Sequence, residues 1–432
     1  MRQALRENAL CAFAAMTGCA TIAWLGLYGF AWNDYELEAQ PSFEALEHGH
    51  LLEFLKLAPA YGGSLVERAP FALLPGLWGG GQLAVYRMVA LPCLLAAVVL
   101  AVWLCARMRA AGHSTLSRAV ALGVCAANPL TLLALEYGHP EEILGGCLCV
   151  AAVIVAGRPS LGRRHGLWAG VLLGLAIANK PWALLAVGPV LLALVTSSGA
   201  WPWRRAMICL ASTAAVAALV LAPLTIVSRG GIETSALGVP PQEIFQPWQL
   251  WWLLGSSNHV HAAQGGAARS VPADAPLSTR PEWRLSPAWL SGVAHPLIVL
   301  LALPLTLLAW LRRRRVENVS LRLLALLLLL RCVLDPWDIS YYMLPFALAL
   351  LAWEVSAHRS RPPVLALAIT TLAWISFQWL PAHVSPDVQS TFFLAWSLPL
   401  AGALAARLFG PGRRRRTRST QPDPTWISMP AR

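Results

Sequence analysis

The sequence predicts an all-α integral membrane protein: a polytopic bundle of about ten to twelve transmembrane helices, with extracytoplasmic loops carrying the chemistry. Three observations predict it. The 432 residues are 57% hydrophobic and only 12% charged, where a soluble domain carries roughly 25% charged residues. Apolar windows recur along the chain at lengths approaching the ~20 residues that a membrane helix needs. Arginines and acids also sort into alternating loops. Together these exclude a water-soluble enzyme. The net charge of +12 is carried by loop arginines, so it implies membrane lipids as a partner and no nucleic acid.

The windows are 9–32, 83–106, 116–135, 142–157, 166–178, 183–198, 206–227, 288–311, 320–334, 340–356, 363–380 and 389–409. The first follows Arg2 and Arg6 and could pass for a signal peptide, but its apolar run is too long for one, so it is read as an uncleaved span. Windows 166–178 and 183–198 are short at 1.5 Å per residue and flank Asn179-Lys180-Pro181. They are expected to form a pair of half-length helices beside a polar cavity or inside the bundle. With the N-terminus in the cytoplasm, alternation puts most arginines inside and most acids outside, giving an N-in, C-in plasma-membrane topology. The outside then holds two long loops, 33–82 and 228–287. Residues 1–411 read as one transmembrane domain, and 412–432 as a basic, disordered cytoplasmic tail whose run Arg413–Arg416 anchors topology beside anionic lipid. No internal repeat is evident.

Nine cysteines (11, 19, 93, 105, 125, 147, 149, 209 and 332) all lie in apolar stretches without a CxxC pair, so neither a disulfide framework nor a zinc site is expected. The candidate chemistry lies in the outer loops. Asp34, at the exit of the first window, is placed to act as a general base on a hydroxyl; the alternative is a solvated acid ending a helix. Glu36 and Glu38 follow at spacings of two and four, so only some of the three acids can face one pocket. Residues 42–57 read as an amphipathic helix lying on the outer surface. Next comes Tyr61-Gly62-Gly63-Ser64, leading to Glu67-Arg68-Ala69-Pro70, whose polar groups either pair internally or face a ligand.

The short outer turn Glu136-Tyr137-Gly138-His139-Pro140-Glu141-Glu142 crowds carboxylates and an imidazole near lipid, where such groups usually face a cavity or a ligand. One short cluster of this kind is not enough to indicate a metal, so no cofactor is expected, although a divalent ion remains chemically compatible. Lys180 is one of only two lysines, the other being Lys56. A cation at membrane depth suggests phosphate binding, with snorkelling or pairing to an acid as the alternative. The last cluster is Arg331, Asp335, Asp338, Tyr341 and Tyr342. Arg331 and Asp335 stand four apart, so they either pair on one helix face or contact phosphate and sugar. His259 and His261 lack a third ligand, and Trp248-Gln249-Leu250-Trp251-Trp252 suits an interface or a lipid or sugar groove.

These residues, in this order, resemble the GT-C membrane glycosyltransferases that use polyprenyl-phosphate sugars. The nearest branch is the bacterial mannosyltransferase-like family once called domain of unknown function 2029. The resemblance is carried by Asn33-Asp34, Tyr61-Gly62-Gly63-Ser64 with Arg68-Ala69-Pro70, Asn128-Pro129-Leu130, Gly138-His139-Pro140-Glu141, and Ala169-Gly170 through Gly174-Leu175-Ala176 to Lys180. It extends diffusely over roughly residues 10–350. It implies transfer of a mannose-like or arabinose-like sugar from a polyprenyl-phosphate donor to a cell-envelope glycan or glycolipid, on the extracytoplasmic side. By position Asp34 becomes the catalytic acid of the first outer loop. The family often shows two adjacent acids there; Asn33 departs from that pattern and leaves Glu36 as the competing base. The resemblance further implies Lys180 and Arg331 on the donor phosphate, and Arg68, His139, Glu141, Glu142, Asp335, Asp338 and Tyr341 around sugar or acceptor. A transporter or lipid flippase, and a non-catalytic membrane scaffold, are the alternatives. Convergence of these residues in one outer cavity favours the enzyme, and a polar path across the whole bilayer favours the transporter.

Overall fold

The computed structural model describes residues 2–28, 34–58, 62–158, 164–197, 202–227, 245–257, 283–313, 318–357 and 361–410. The chain forms a helical bundle in which, among the described residues, 7 helices are long and apolar enough to cross a membrane. The first helix, α1 (Arg2–Tyr28), precedes a π-helical turn at Tyr35–Ala39 and three short helices, α2 (Gln40–Glu47), α3 (Leu51–Leu57) and α4 (Gly63–Ala72). The single surface helix expected over 42–57 is therefore a helical hairpin. Gly49, at φ 76°, lets the chain reverse between α2 and α3.

Two helices follow as α5 (Gln82–Ala110) and the pair α6 (Thr115–Ala126) and α7 (Pro129–Glu136). Asn128 divides that pair: its Oδ1 accepts from Leu130 N at 2.9 Å while Pro129 opens the new helix. Then come α8 (Glu141–Ala156), α9 (Arg164–Asn179), a 3₁₀ turn at Pro181–Ala186 leading into α10 (Val187–Ser197), and α11 (Pro202–Val227). Gly166, Gly170 and Gly174 recur every fourth residue on α9, and a Cβ at any of them would collide with α11 backbone. This is the small-residue spacing that lets membrane helices touch.

The C-terminal half contains α12 (Leu290–Arg312), α13 (Val319–Leu334), α14 (Met343–Ala357), α15 (Val364–Trp374) and α16 (Pro386–Phe409). The sequences of α13 and α14 are apolar on every side, and both helices are buried almost throughout, at the centre of the bundle. Before α12, the two-residue strands β1 (Ser256–Ser257) and β2 (Arg284–Leu285) pair antiparallel, with Ser256 opposite Leu285.

The short helices expected around Lys180 form as α9, of 16 residues, and the 3₁₀ turn running into α10, of 11 residues. Asn179, at the end of α9, reaches Glu141 at the start of α8, and Ser197, at the end of α10, reaches Ala156 at the other end of α8. Each therefore runs the full length of α8, and Lys180 stands at the end of the bundle rather than at mid-depth.

The two ends of the bundle differ in charge. At one, Arg109 and Arg118 pair with Glu7 at 3.7 and 3.2 Å, Arg158 stacks over Trp103, and Arg312 and Arg322 donate to backbone oxygens of Gly410 and Arg407. The opposite end gathers Asp34, His139, Glu141, Lys180 and Arg331. The arginine run 413–416 and the histidines 259 and 261 lie outside the described residues.

Candidate active site

The α7–α8 turn is the hub of the second end. Gly138 takes φ 86° and closes α7, and a Cβ there would meet Tyr35 N at 2.6 Å. That close approach sets the Asp34–Tyr35 segment directly against the turn. His139 Nε2 then meets Asp34 Oδ2 at 2.9 Å, and its Nδ1 meets Glu141 Oε1 at 2.8 Å. Glu141 is 2% exposed and also binds Lys180 Nζ at 3.1 Å through Oε1 and Arg68 Nη2 at 3.1 Å through Oε2. Its backbone oxygen accepts from Asn179 Nδ2 at 2.9 Å. Arg68 is oriented by its own helix, donating through Nε to Ser64 O at 3.0 Å, and its buried Nη1 has no hydrogen-bond partner among the described residues. Side chains from three separate segments, α4, the α7–α8 turn and the end of α9, thus converge on one carboxylate.

The electrostatics follow from burial and proximity. Burial alone would lower the pKa of His139, but the charge of Glu141 and hydrogen bonds to Asp34 and Glu141 raise it to about 9. At neutral pH it is an imidazolium donating to both carboxylates. Burial pushes Glu38 up to about 7, with His139 and Lys180 opposing the rise. Burial likewise lifts Glu67 to about 8 against the charge of Arg68.

A second group adjoins the first through Glu142. Arg331 Nη1 lies 3.4 Å from Glu142 Oε2, and Trp182 Nε1 donates to Glu142 Oε1 at 3.0 Å. The Arg331 guanidinium sits 4.0 Å from the Tyr342 ring centre and 4.7 Å from that of Trp182. The alternative pairing of Arg331 with Asp335 does not form. Asp335 caps α13 in an extended conformation, accepting from Trp337 N at 3.0 Å and facing His295 Nε2 at 3.4 Å, so it leaves the helix face that Arg331 occupies. Asp338 is fully buried, and both its oxygens lack a hydrogen-bond partner among the described residues. Burial and the charge of Asp335 hold its carboxyl well above the usual carboxylate range. The Tyr341 ring lies 4.6 Å from that of His139.

Of the residues singled out in the sequence, Asp34, Arg68, His139, Glu141 and Lys180 meet in one cluster, and Glu142, Arg331 and Tyr341 stand beside it. Glu36 does not join them: it is exposed, while Glu38, four residues from Asp34, is half-buried against the cluster. Trp182 and Asn179 were not foreseen as partners, whereas Tyr342 stands beside Arg331 within the cluster read from the sequence. The signal for Glu38 was present, since a spacing of four returns to the same helical face. Asn33 lies outside the described residues. Among the described residues, no group of three or more His, Cys, Asp or Glu side chains is placed to hold a metal ion. The described part of the second long loop folds alongside: Gln246 N donates to Pro336 O at 3.0 Å and Trp251 Nε1 to Leu334 O at 2.7 Å.

The family model for glycosyltransferase family 87 matches residues 63–336. The chain belongs to glycosyltransferase family 87. It is therefore a membrane glycosyltransferase, as the GT-C resemblance implied. No curated protein and no solved structure gives a significant match to the chain. The family 87 match takes in Arg68, His139, Glu141, Glu142, Lys180, Arg331 and Asp335. It begins after Asp34 and Glu38, so those two acids are tied to the site by geometry rather than by the match.

Proposed function

We propose that this family 87 member transfers a mannose-like or arabinose-like sugar from a polyprenyl-phosphate donor to a cell-envelope glycan or glycolipid, on the extracytoplasmic face of a bacterial plasma membrane. The observation that carries the proposal is the Asp34–His139–Glu141–Lys180 cluster at one end of the bundle. Three cations, Arg68, Lys180 and protonated His139, face two carboxylates, Asp34 and Glu141. With Glu38 protonated, as burial favours below about 7, the cluster carries surplus positive charge where a phosphate would dock. Arg68 Nη1, buried without a partner, is a donor available to it.

In this reading Asp34 is the base. His139 fixes Oδ2, and among the described residues Oδ1 is unengaged and can accept the acceptor's hydroxyl proton. The bond between the anomeric carbon and the phosphate oxygen breaks as the hydroxyl oxygen bonds to that carbon. The transition state is oxocarbenium-like, as in glycoside hydrolysis. The leaving polyprenyl phosphate takes the electron pair, and Lys180 and Arg68 stabilise its charge. Arg331, stacked and paired to Glu142, contributes to the phosphate field at longer range, while Glu142, Asp335, Asp338 and Tyr341 bound the sugar space. Glu36 is the second-choice base.

The test is transfer of radiolabelled sugar from polyprenyl-phosphate donors in membranes carrying the wild type, Asp34→Asn or Lys180→Ala. Loss of a positioned base should lower turnover by about 10²–10⁴-fold. Equal transfer by Asp34→Asn would sink that residue as the base and turn attention to Glu36. No transfer by the wild type from any polyprenyl-phosphate donor would remove the donor class.

A further inference from the structure

At the arginine-rich end, far from the candidate active site, a cavity of about 260 Å³ opens between the ends of α5, α8, α10, α13 and α14. Arg107 and Arg313 line it together with Ser320 and Asn318, and among the described residues no carboxylate does. The Glu7 carboxylate at this end is already held by Arg109 and Arg118. Arg158 adds a second charge near Arg107, because it stacks over Trp103, one turn earlier on the same face of α5. Arg313 is held in place by its own helix, with Nη1 donating to Trp310 O at 2.7 Å and the guanidinium over the Trp310 ring. Like charges with no acid beside them among the described residues favour an anion joining them.

The first turn of α13 supplies the remaining donors. Asn318 precedes it at φ 50° and gives its side-chain amide to Ser356 O at 2.9 Å, so it does not cap the helix. Among the described residues the backbone N–H groups of Val319, Ser320 and Leu321 therefore receive no side-chain cap at a helix N-terminus, where partial positive charge collects. The Ser320 side chain is 7% exposed, lines the cavity and has no hydrogen-bond partner among the described residues. That hydroxyl faces the cavity as a donor and acceptor not otherwise engaged among the described residues.

We infer that this cavity is a binding site for a phosphate group, held by Arg107, Arg313, the Ser320 hydroxyl and the amides opening α13. Two sources offer that chemistry: the headgroup of an anionic phospholipid, which reaches helix ends from the bilayer, and a free phosphate. The site is independent of sugar transfer, so it stands or falls separately from the proposed reaction.

Native mass spectrometry of the purified full-length protein tests it, with dioleoyl phosphatidylglycerol, dioleoyl phosphatidylcholine and inorganic phosphate as probes. The variants are Arg107→Gln, Ser320→Ala and, outside the cavity at the same end, Arg118→Gln. Phosphatidylglycerol or phosphate should bind the wild type, with affinity falling about tenfold in Arg107→Gln, as expected for one charge-assisted contact. Ser320→Ala, a milder change, should weaken it in the same direction, and Arg118→Gln should leave it unchanged. Phosphatidylglycerol that millimolar phosphate does not displace identifies the lipid as occupant, and phosphate that binds alone and displaces the lipid identifies the free ion. Unchanged affinity in both cavity variants, or an equal loss in Arg118→Gln, overturns the proposal.

Discussion

Replacing Glu141 by Gln is the most direct probe of the cluster, because one carboxylate there balances three cations. The side chain is 2% exposed and lies 3.1 Å from both Arg68 and Lys180 and 2.8 Å from His139. Glutamine keeps the shape and one acceptor oxygen but turns an amide donor toward a cation. Removing one partner of a buried ion pair costs about 3–5 kcal/mol, mostly from the charge left behind. Two permanently charged partners remain here, so the upper part of that range applies. In a chain of this size that corresponds to a fall in Tm of about 5 °C or more. Thermal unfolding of the purified protein in detergent measures it. Adding Lys180→Met to Glu141→Gln removes one of the stranded cations and should recover part of the lost stability, while sugar transfer stays low in both variants. A single variant melting within about 1 °C of the wild type, or a double variant less stable than the single, would refute the reasoning.

Three further outcomes follow from the same geometry. His139 has its pKa raised from 6.5 to about 9, so its stabilising contribution is complete below 6.5 and disappears as pH rises through 9. The wild-type Tm should fall across that window, and His139→Gln should flatten the profile there. Glu38, raised from 4.5 to about 7, ionises as pH passes 7 and cancels the surplus positive charge. The donor KM should therefore climb above about pH 7, and Glu38→Gln should abolish the climb. Gly138→Ala places a Cβ at φ 86° and against Tyr35 N; the αL penalty of about 1–2 kcal/mol comes with displacement of Asp34 from His139. Turnover should drop well beyond what the change in Tm explains, and an unaffected kcat would show that this close approach does not position Asp34.

How much of this was legible in the sequence depended on whether the information was local. The apolar windows reappear as helical segments, with 116–135 divided at Asn128, because hydrophobic burial and backbone hydrogen bonding act within the segment itself. Asp34, His139, Glu141 and Lys180 stood out because charges are costly in an apolar chain. Their partners were another matter. Lys180 and Arg68 meet Glu141 only because α9 and α4 pack against the ends of α8 and α5, and spacing along the chain says nothing of such an encounter. The pairing of Arg331 with Glu142 rather than Asp335 turns on where α13 stops: one residue in extended conformation is enough to take Asp335 off the helix face. Glu38 is the instructive case between these extremes, since its spacing of four from Asp34 already placed it on the same face, while adjacency to Asp34 in the family pattern drew attention to Glu36. Where a motif position and a helical period disagree, the period decides which side chain reaches the pocket, because the backbone turns before the chemistry is assembled.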